Sequence, residues 1–456
     1  MTYLTPNKIA EITGGEYIGK ENALNDRIQG AVRDNRDVAP GNIFVCVNGA
    51  HFDGHTFANK AFESGAVCCL AEHPIPGPKG PYILVDSTQE SIKKLGGYYR
   101  SLFDIPVIGI TGSVGKTTTK EMTASVLGTR FNVLKTSGNM NNELGVPLTL
   151  LSLDESYDAA VIEMGISDFG EMSRLAEMVR PDICVTTIIG YSHLETLSDL
   201  QGVLRAKSEV FSYMNQNGVA VLNGDDDLLQ GFDPGIQKIT FGFADHNDFH
   251  TENVVASDIN EVKFNITSDT GSFSVCIPSY GRHLASAALA AAAVGRLLGV
   301  TDDEIAQGLS LYAPVGGRAN VTDTGYVTLI NDCYNANPNS VMEALSSLSS
   351  LSLRRVAILG DMLELGSQSD QLHRKIGFFA ANSAIDRLIC CGDRAALIYE
   401  CYMSANNRNP TYYYPTKTDL IAEMPKLIKK GDAVLVKASH GMKFEELISV
   451  ICRLRE

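Results

Sequence analysis

Apolar residues come along this chain in short runs closed off by Gly, Pro and Asn, and no run is long. A run of four to six apolar residues bounded by turn formers reads as a buried strand, and apolar positions recurring every three or four residues read as a helix. On that pattern the first hundred residues hold strands at Asn42–Val47 and Tyr82–Val85 and a helix at His55–Gly65. Their loops are the clusters PGN, NGAHFDGH and PIPGPKGP. The next part opens with IPVIGITGSVGKTTTKEMTASVLG: an apolar strand, a glycine loop, a helix. Strands follow at Ala159–Glu163, Ile183–Ile188 and Val219–Asn223, with helical stretches between them. An Ala-rich helix at 284–298 and a second at 302–311 close this part. From Pro314 on, strands at Val327–Asp332, Val356–Gly360, Leu388–Gly392 and Ala433–Ala438 alternate with helices at Asn339–Leu351 and Gln371–Ala381.

Alternating strands and helices specify parallel sheets covered by helices. The predicted fold class is α/β in three domains: a small N-terminal α/β domain at 1–103, a central parallel-sheet domain at 104–313 and a C-terminal Rossmann-like domain at 314–456. A chain of 456 residues, 44% hydrophobic, can fill several cores without staples. The net charge of −15 argues against nucleic-acid binding, which depends on Lys and Arg neutralising phosphates. A single nucleotide is still within reach, held by backbone amides, one lysine and a magnesium ion. The ten cysteines form no C-x-x-C spacing and read as reduced, buried thiols, with no zinc site expected. The opening MTYLTPNKIAEITGG lacks the pattern of a signal peptide, and no stretch reaches 18 apolar residues. A cytoplasmic protein without a membrane span is expected.

The strongest chemical signal is Thr111-Gly112-Ser113-Val114-Gly115-Lys116-Thr117-Thr118, which follows a strand and opens a helix. Glycines let the backbone curl so that its N–H groups face a phosphate, and the helix N-terminus adds partial positive charge. Lys116 can reach the β- and γ-phosphates and Thr117 can hold magnesium. The position five before Gly115 is Ile110, so the loop is a variant of the common spacing. Glu163 ends its strand at the carboxyl rim, where ligands of parallel sheets bind and where a hard cation wants a carboxylate.

Lys207 falls on the apolar face of DLQGVLRAKSEVFSYM, with Leu200, Val203, Val210, Phe211 and Met214. A buried ammonium is costly. The pattern alone favours a lysine that snorkels to water; a carboxylate partner or carbamylation are the other solutions. His193 follows a strand and a glycine, as apt for a structural hydrogen bond as for a ligand. Asn223-Gly224-Asp225-Asp226 ends another strand on the same rim and suits a turn as well as a ligand. Asp332-Cys333-Tyr334-Asn335-Ala336-Asn337-Pro338 joins a strand to a helix, and Gly360-Asp361-Met362-Leu363-Glu364-Leu365-Gly366 is placed alike. Their side-chain amides and acids suit a nucleotide or an amide-bearing substrate, or a loop that caps its own helix.

Taken in order, these motifs resemble the Mur ligase family along essentially the whole chain. TGSVGKTTTK resembles T-G-T-x-G-K-T-T, and Glu163-Met164-Gly165 the magnesium-binding E-M-G. His193-Leu194-Glu195 resembles A-H-L-E, and Ala206-Lys207-Ser208-Glu209 resembles A-K-x-E, whose lysine is carbamylated. Asn139–Pro147, Tyr334–Pro338 and Gly360–Gly366 resemble runs of the branch that adds D-alanyl-D-alanine. Asp34-Asn35-Arg36 and Gly49–His55 resemble the D-S-R and D-G-H of a UDP-sugar-binding domain. The chain departs from the family at G-R-H-N-x-x-N, where Leu284 and Ala287 replace both Asn, the second of which meets adenine. It departs again at K-G-S-R, here Lys437-Ala438-Ser439-His440, and at Asn35.

The resemblance implies an ATP-dependent carboxylate–amine ligase of peptidoglycan synthesis, joining D-alanyl-D-alanine to UDP-N-acetylmuramoyl-tripeptide through an acyl phosphate. It implies ATP on Thr111–Ser113, Gly115–Thr118, Asn142, His283 and Asp332, and magnesium on Thr117, Glu163, His193 and carbamylated Lys207. Lys116, His193, Lys207 and Arg318 carry the catalytic roles. Asn35, Arg36, Asp53 and His55 face the UDP-sugar, and Asn335, Asn337, Asp361 and Glu364 face the dipeptide. The expected form is a monomer. The rivals are another ligase of the superfamily, such as a folylpolyglutamate synthetase, and a homologue that binds nucleotide or UDP-sugar but has lost catalysis.

Overall fold

The computed structural model describes residues 3–49, 52–256, 259–405 and 409–455. Ala50 and His51 of the Gly49–His55 run lie outside the described residues. The chain forms three sheets in sequence order.

The first sheet holds β1 (Glu16–Ile18), β2 (Gly30–Val32), β3 (Asn42–Val45), β4 (Cys68–Ala71) and β5 (Tyr82–Leu84), in the order β1-β5-β4-β3-β2. All its pairs are parallel except β1–β5. The helix expected at His55–Gly65 begins as a 3-10 turn, Gly54–Phe57, and becomes α-helical at Ala58–Glu63.

The second sheet holds β6 (Val107–Thr111), β7 (Val133–Lys135), β8 (Ala159–Glu163), β9 (Ile183–Thr186), β10 (Val219–Asn223), β11 (Gln237–Gly242), β12 (Phe249–Val255), β13 (Val262–Ser268) and β14 (Gly271–Ile277). Their order is β14-β13-β12-β11-β10-β9-β6-β8-β7. The pairs from β7 to β12 are parallel, and β12–β13–β14 is an antiparallel meander. The β9 strand stops at Thr186, two residues short of expectation, because residues 187–190 turn onto the glycine loop. There the Ser113 N–H donates to Ile188 O at 2.8 Å and the Thr187 hydroxyl to Val114 O at 2.6 Å. The helix Leu284–Leu297 is as buried as its alanine content predicts. Small side chains let it lie close against the helix Lys116–Leu127, with Met122, Val126 and Leu289 in one core.

The third sheet holds β15 (Asn320–Asp323), β16 (Thr328–Asn331), β17 (Arg354–Gly360), β18 (Arg387–Cys391), β19 (Thr411–Tyr414) and β20 (Asp432–Lys437), in the order β15-β16-β20-β17-β18-β19. Only its first pair is antiparallel. Helices at Pro338–Ser349 and Ser369–Ala381 match the expected ones to within about two residues. Among the described residues no helix is long and apolar enough to cross a membrane.

Candidate active site

The glycine loop joins β6 to the helix Lys116–Leu127. Gly112 has φ +136°, and a Cβ there would stand 1.9 Å from the Thr187 hydroxyl. Gly115, at φ +86°, is the helix N-cap and offers no side chain to its first turn. The first-turn N–H groups are thus left for an anion rather than for a cap. Lys116 folds back on the loop, its Nζ donating to Gly112 O at 2.8 Å. Burial holds its ammonium below the usual lysine range, Glu163 opposes that shift, and the positive charge of Arg318 adds to it.

Thr117 and Glu163 meet as the sequence suggests: the hydroxyl donates to Glu163 Oε2 at 2.9 Å. Asn141 Nδ2 donates to Oε1 of the same carboxylate at 2.7 Å, and Lys120 Nζ lies 3.8 Å from Oε2. Neither Asn141 nor Lys120 stands out in the sequence, although they belong to the runs Asn139–Pro147 and TGSVGKTTTK. A buried carboxylate beside a hydroxyl is an oxygen donor set that suits magnesium.

Lys207 does not snorkel; it is 1% exposed. Among the described residues no carboxylate lies within ion-pairing distance of it. Burial drives its ammonium well below the usual lysine range, helped by the charge of Lys116 and opposed by Glu171. His193 adopts a left-handed φ of +52°, and its Nδ1 meets Glu364 Oε2 at 2.8 Å. The hydrogen bond from His193 holds the Glu364 carboxyl below its usual range. Asp225 and Asp226 do turn work: Asp226 caps the helix Asp227–Gln230, and Asp225 accepts the Ala244 N–H at 3.2 Å.

A cavity of about 490 Å3 separates the second sheet from the third. Gly115, Lys116, Asn142, Glu163 and His193 line one side, with His283 and Ala287 further along. Arg318, Asp332, Asn335, Asn337 and Lys437 line the other. Arg318 stacks 3.8 Å from the Tyr334 ring centre, after Gly316 and Gly317, which both have left-handed φ. Asp332 pairs with Lys437 at 2.6 Å and accepts the Ala319 N–H. Asn337 caps its own helix through the Ser340 N–H. Asp361 does not line the cavity: it is 7% exposed, and its Oδ1 accepts the N–H groups of Arg394 and Ala395, capping the start of the helix Ala395–Ser404. The structure gives it a task within the fold, which an acid after a strand signals no differently from a ligand.

Hydrogen bonds bridge the two sides. The Ser113 hydroxyl donates to Gly190 O and accepts the Gly190 N–H, at 3.0 and 2.9 Å. The next N–H, of Tyr191, donates to Asn339 Oδ1 at 3.2 Å, on the helix Pro338–Ser349. The positions from the first segment lie in the turn after β2 and at the 3-10 turn Gly54–Phe57, outside this cavity. Arg36 pairs with Asp34, and Asn35 is half-buried between them. The Glu72 N–H donates to His55 Nε2 at 2.8 Å, so His55 Nδ1 carries the proton that meets Asp53 Oδ1 at 2.5 Å. His73 stacks on His55 at 3.9 Å and approaches Asp53 from the other side.

The model of the Mur ligase middle domain matches residues 110–295, and that of the Mur ligase, glutamate ligase domain matches residues 317–440. A Bacillus subtilis (strain 168) protein named UDP-N-acetylmuramoyl-tripeptide–D-alanyl-D-alanine ligase is 37% identical, with 92% of each chain covered. Among solved structures, crystal structure I of MurF from Acinetobacter baumannii is similar at a TM-score of 0.89 and 28% identity, over 99% of both chains. The MurF ligase from Thermotoga maritima in complex with ADP follows at a TM-score of 0.82 and 27% identity, over 94% of this chain and 97% of that one. A phosphate loop facing a third sheet across one cavity, two matching domain models and likeness along nearly the whole length lead to one conclusion: the chain belongs to the Mur ligase family.

Proposed function

We propose that this enzyme ligates D-alanyl-D-alanine to UDP-N-acetylmuramoyl-tripeptide, driven by cleavage of ATP, in peptidoglycan precursor synthesis. The observation that carries the reading is the shared cavity. Lys116 and the carboxylate of Glu163 open onto the same space as Arg318, Asp332 and the Asn335–Asn337 loop. Residues 1–103 hold the UDP-sugar, with Asn35, Arg36, Asp53 and His55 as its contacts; residues 104–313 hold ATP, and residues 314–456 close over it and bring the dipeptide to Asn335, Asn337 and Glu364.

A carboxylate approaching a triphosphate meets like-charge repulsion, so fixed positive charge must converge on the transferring phosphoryl group. Lys116 supplies it from the loop and Arg318 from the third domain. The tripeptide carboxylate takes the γ-phosphoryl group, ADP leaves, and the dipeptide amine then displaces phosphate from the acyl carbon. Thr117 and Glu163 are the residues that would hold magnesium, with His193 for a second ion; bound there, magnesium neutralises phosphate charge. Lys207 serves as its carbamate. Burial favours the neutral amine, and that is the form that adds carbon dioxide, giving N–COO− with loss of one proton.

The test is phosphate release from ATP and magnesium, with UDP-N-acetylmuramoyl-tripeptide carrying either lysine or diaminopimelate as third residue, with and without D-alanyl-D-alanine. Release that needs both substrates, with product heavier by one dipeptide unit, is the expected result. A folded protein silent with both tripeptides overturns the reading.

A further inference from the structure

Three polar groups in the cavity between the second and third sheets have no partner among the described residues. The Tyr280 hydroxyl, on a side chain 2% exposed, is buried without a hydrogen bond, and so is His283 Nδ1. Glu343, on the helix Pro338–Ser349, lines the same cavity, and among the described residues its carboxyl makes no ion pair or hydrogen bond. Buried polar groups without partners are costly, and two of them beside a part-buried carboxyl on one cavity mark a wall suited to a polar ligand.

Their position says which part of a ligand they meet. The helix Pro338–Ser349 runs along the cavity. Near its start Asn339 touches Tyr191, beside the residues that hold Ser113 of the phosphate loop. Near its end Ser347 approaches Gly281, with a Cβ at Gly281 only 3.5 Å from the Ser347 hydroxyl. At 1.5 Å per residue, Glu343 stands about 6 Å along the axis from Asn339. A nucleotide with its phosphates on the loop therefore extends its nucleoside past Glu343 toward Tyr280.

We propose that Glu343 reads the nucleobase: its carboxyl accepts the exocyclic amino group of adenine, with the Tyr280 hydroxyl on the same nucleoside. The inference rests on the reading of the loop as an ATP site. Burial, reinforced by Asp332 and opposed by His283 and Lys437, pushes the Glu343 carboxyl above its usual range. A donor from the ligand offsets the cost of that burial. Guanine presents a carbonyl oxygen where adenine presents the amino group, so it sets acceptor against acceptor.

Calorimetric binding of ADP, GDP and 2′-deoxy-ADP, each with magnesium, to the full chain and to Glu343→Met, Glu343→Gln and Tyr280→Phe tests this, with melting curves to check folding. The full chain prefers ADP to GDP by at least about tenfold. Glu343→Met loses about tenfold for ADP and leaves GDP within about twofold. Glu343→Gln keeps an acceptor and stays within about threefold of the parent. Equal binding of ADP and GDP by the unmodified chain overturns the inference without any variant. So does an equal loss for both nucleotides in Glu343→Met, or a loss that disappears with 2′-deoxy-ADP, which would place the contact on the ribose. An unmodified chain that binds none of the three overturns the ATP-site reading itself.

Discussion

The hydroxyl of Thr117 and the carboxylate of Glu163 are joined at 2.9 Å, both side chains buried at the edge of the cavity. The carboxylate also takes the Asn141 amide, so its oxygens are aimed by one neighbour on a helix and one on a loop. Glu163→Gln keeps the shape and removes the charge. The magnesium concentration for half-maximal phosphate release is expected to rise at least about tenfold, with the melting temperature little changed. An unchanged magnesium requirement would remove Glu163 from the metal site.

Lys207 lets stability and catalysis be separated. Its folded pKa lies well below its unfolded value of about 10.4. Between the two, the unfolded chain binds a proton that the folded chain does not. Its contribution to stability is therefore complete above the unfolded pKa, declines as pH falls through that window, and levels off below the folded pKa. In buffer stripped of carbon dioxide, Lys207→Met is expected to melt about 2–4 °C higher than the parent at pH 7. Its turnover is expected to fall at least about a hundredfold. A variant that melts lower would show that packing or contacts, not charge burial, set the cost at this position.

Asp361 separates a cap from a ligand. Asp361→Ala removes the acceptor for two N–H groups and is expected to cost about 1–2 kcal/mol in urea denaturation, with the KM for D-alanyl-D-alanine unchanged. A large rise in that KM at full stability would restore the substrate role that the sequence suggested.

The His193–Glu364 contact crosses from the second sheet's side of the cavity to the third, with Glu364 still 59% exposed. Exposed pairs are weak, about 0.2–1 kcal/mol. Glu364→Ala should therefore raise the KM for ATP by no more than about fivefold and modestly expand the free enzyme in small-angle scattering. A loss of turnover beyond a hundredfold would instead make Glu364 a direct contact of the reacting groups.

Much of this was legible in the sequence wherever apolar runs end in turn formers. β8 and β10 begin and end where their residues predict. The meander β12–β14 went unseen, although Val262, Phe264 and Ile266 alternate with polar neighbours, because half-buried strands lack an unbroken apolar run. In the site, Lys116, Thr117 and Glu163 carry chemistry in their own sequence context. Tyr280 and Glu343 do not: one follows a strand, the other rides a plain helix face, and only the approach of the third sheet brings them to one cavity. Lys207 was legible as an anomaly, but its burial depends on packing that periodicity cannot weigh.

Ser113 is tied through the Gly190 backbone to the neighbouring Tyr191 N–H, which Asn339 accepts. The nucleotide loop and the first helix of the third domain thus share a lever only a few bonds long. A shift of the loop on filling with phosphate has to be absorbed by stretching that lever or by carrying the helix along. Packed interiors deform little, so the helix is the softer choice. Loop and far wall are thereby one mechanical unit: neither side of the cavity can be displaced without load on the hydrogen bonds that join them.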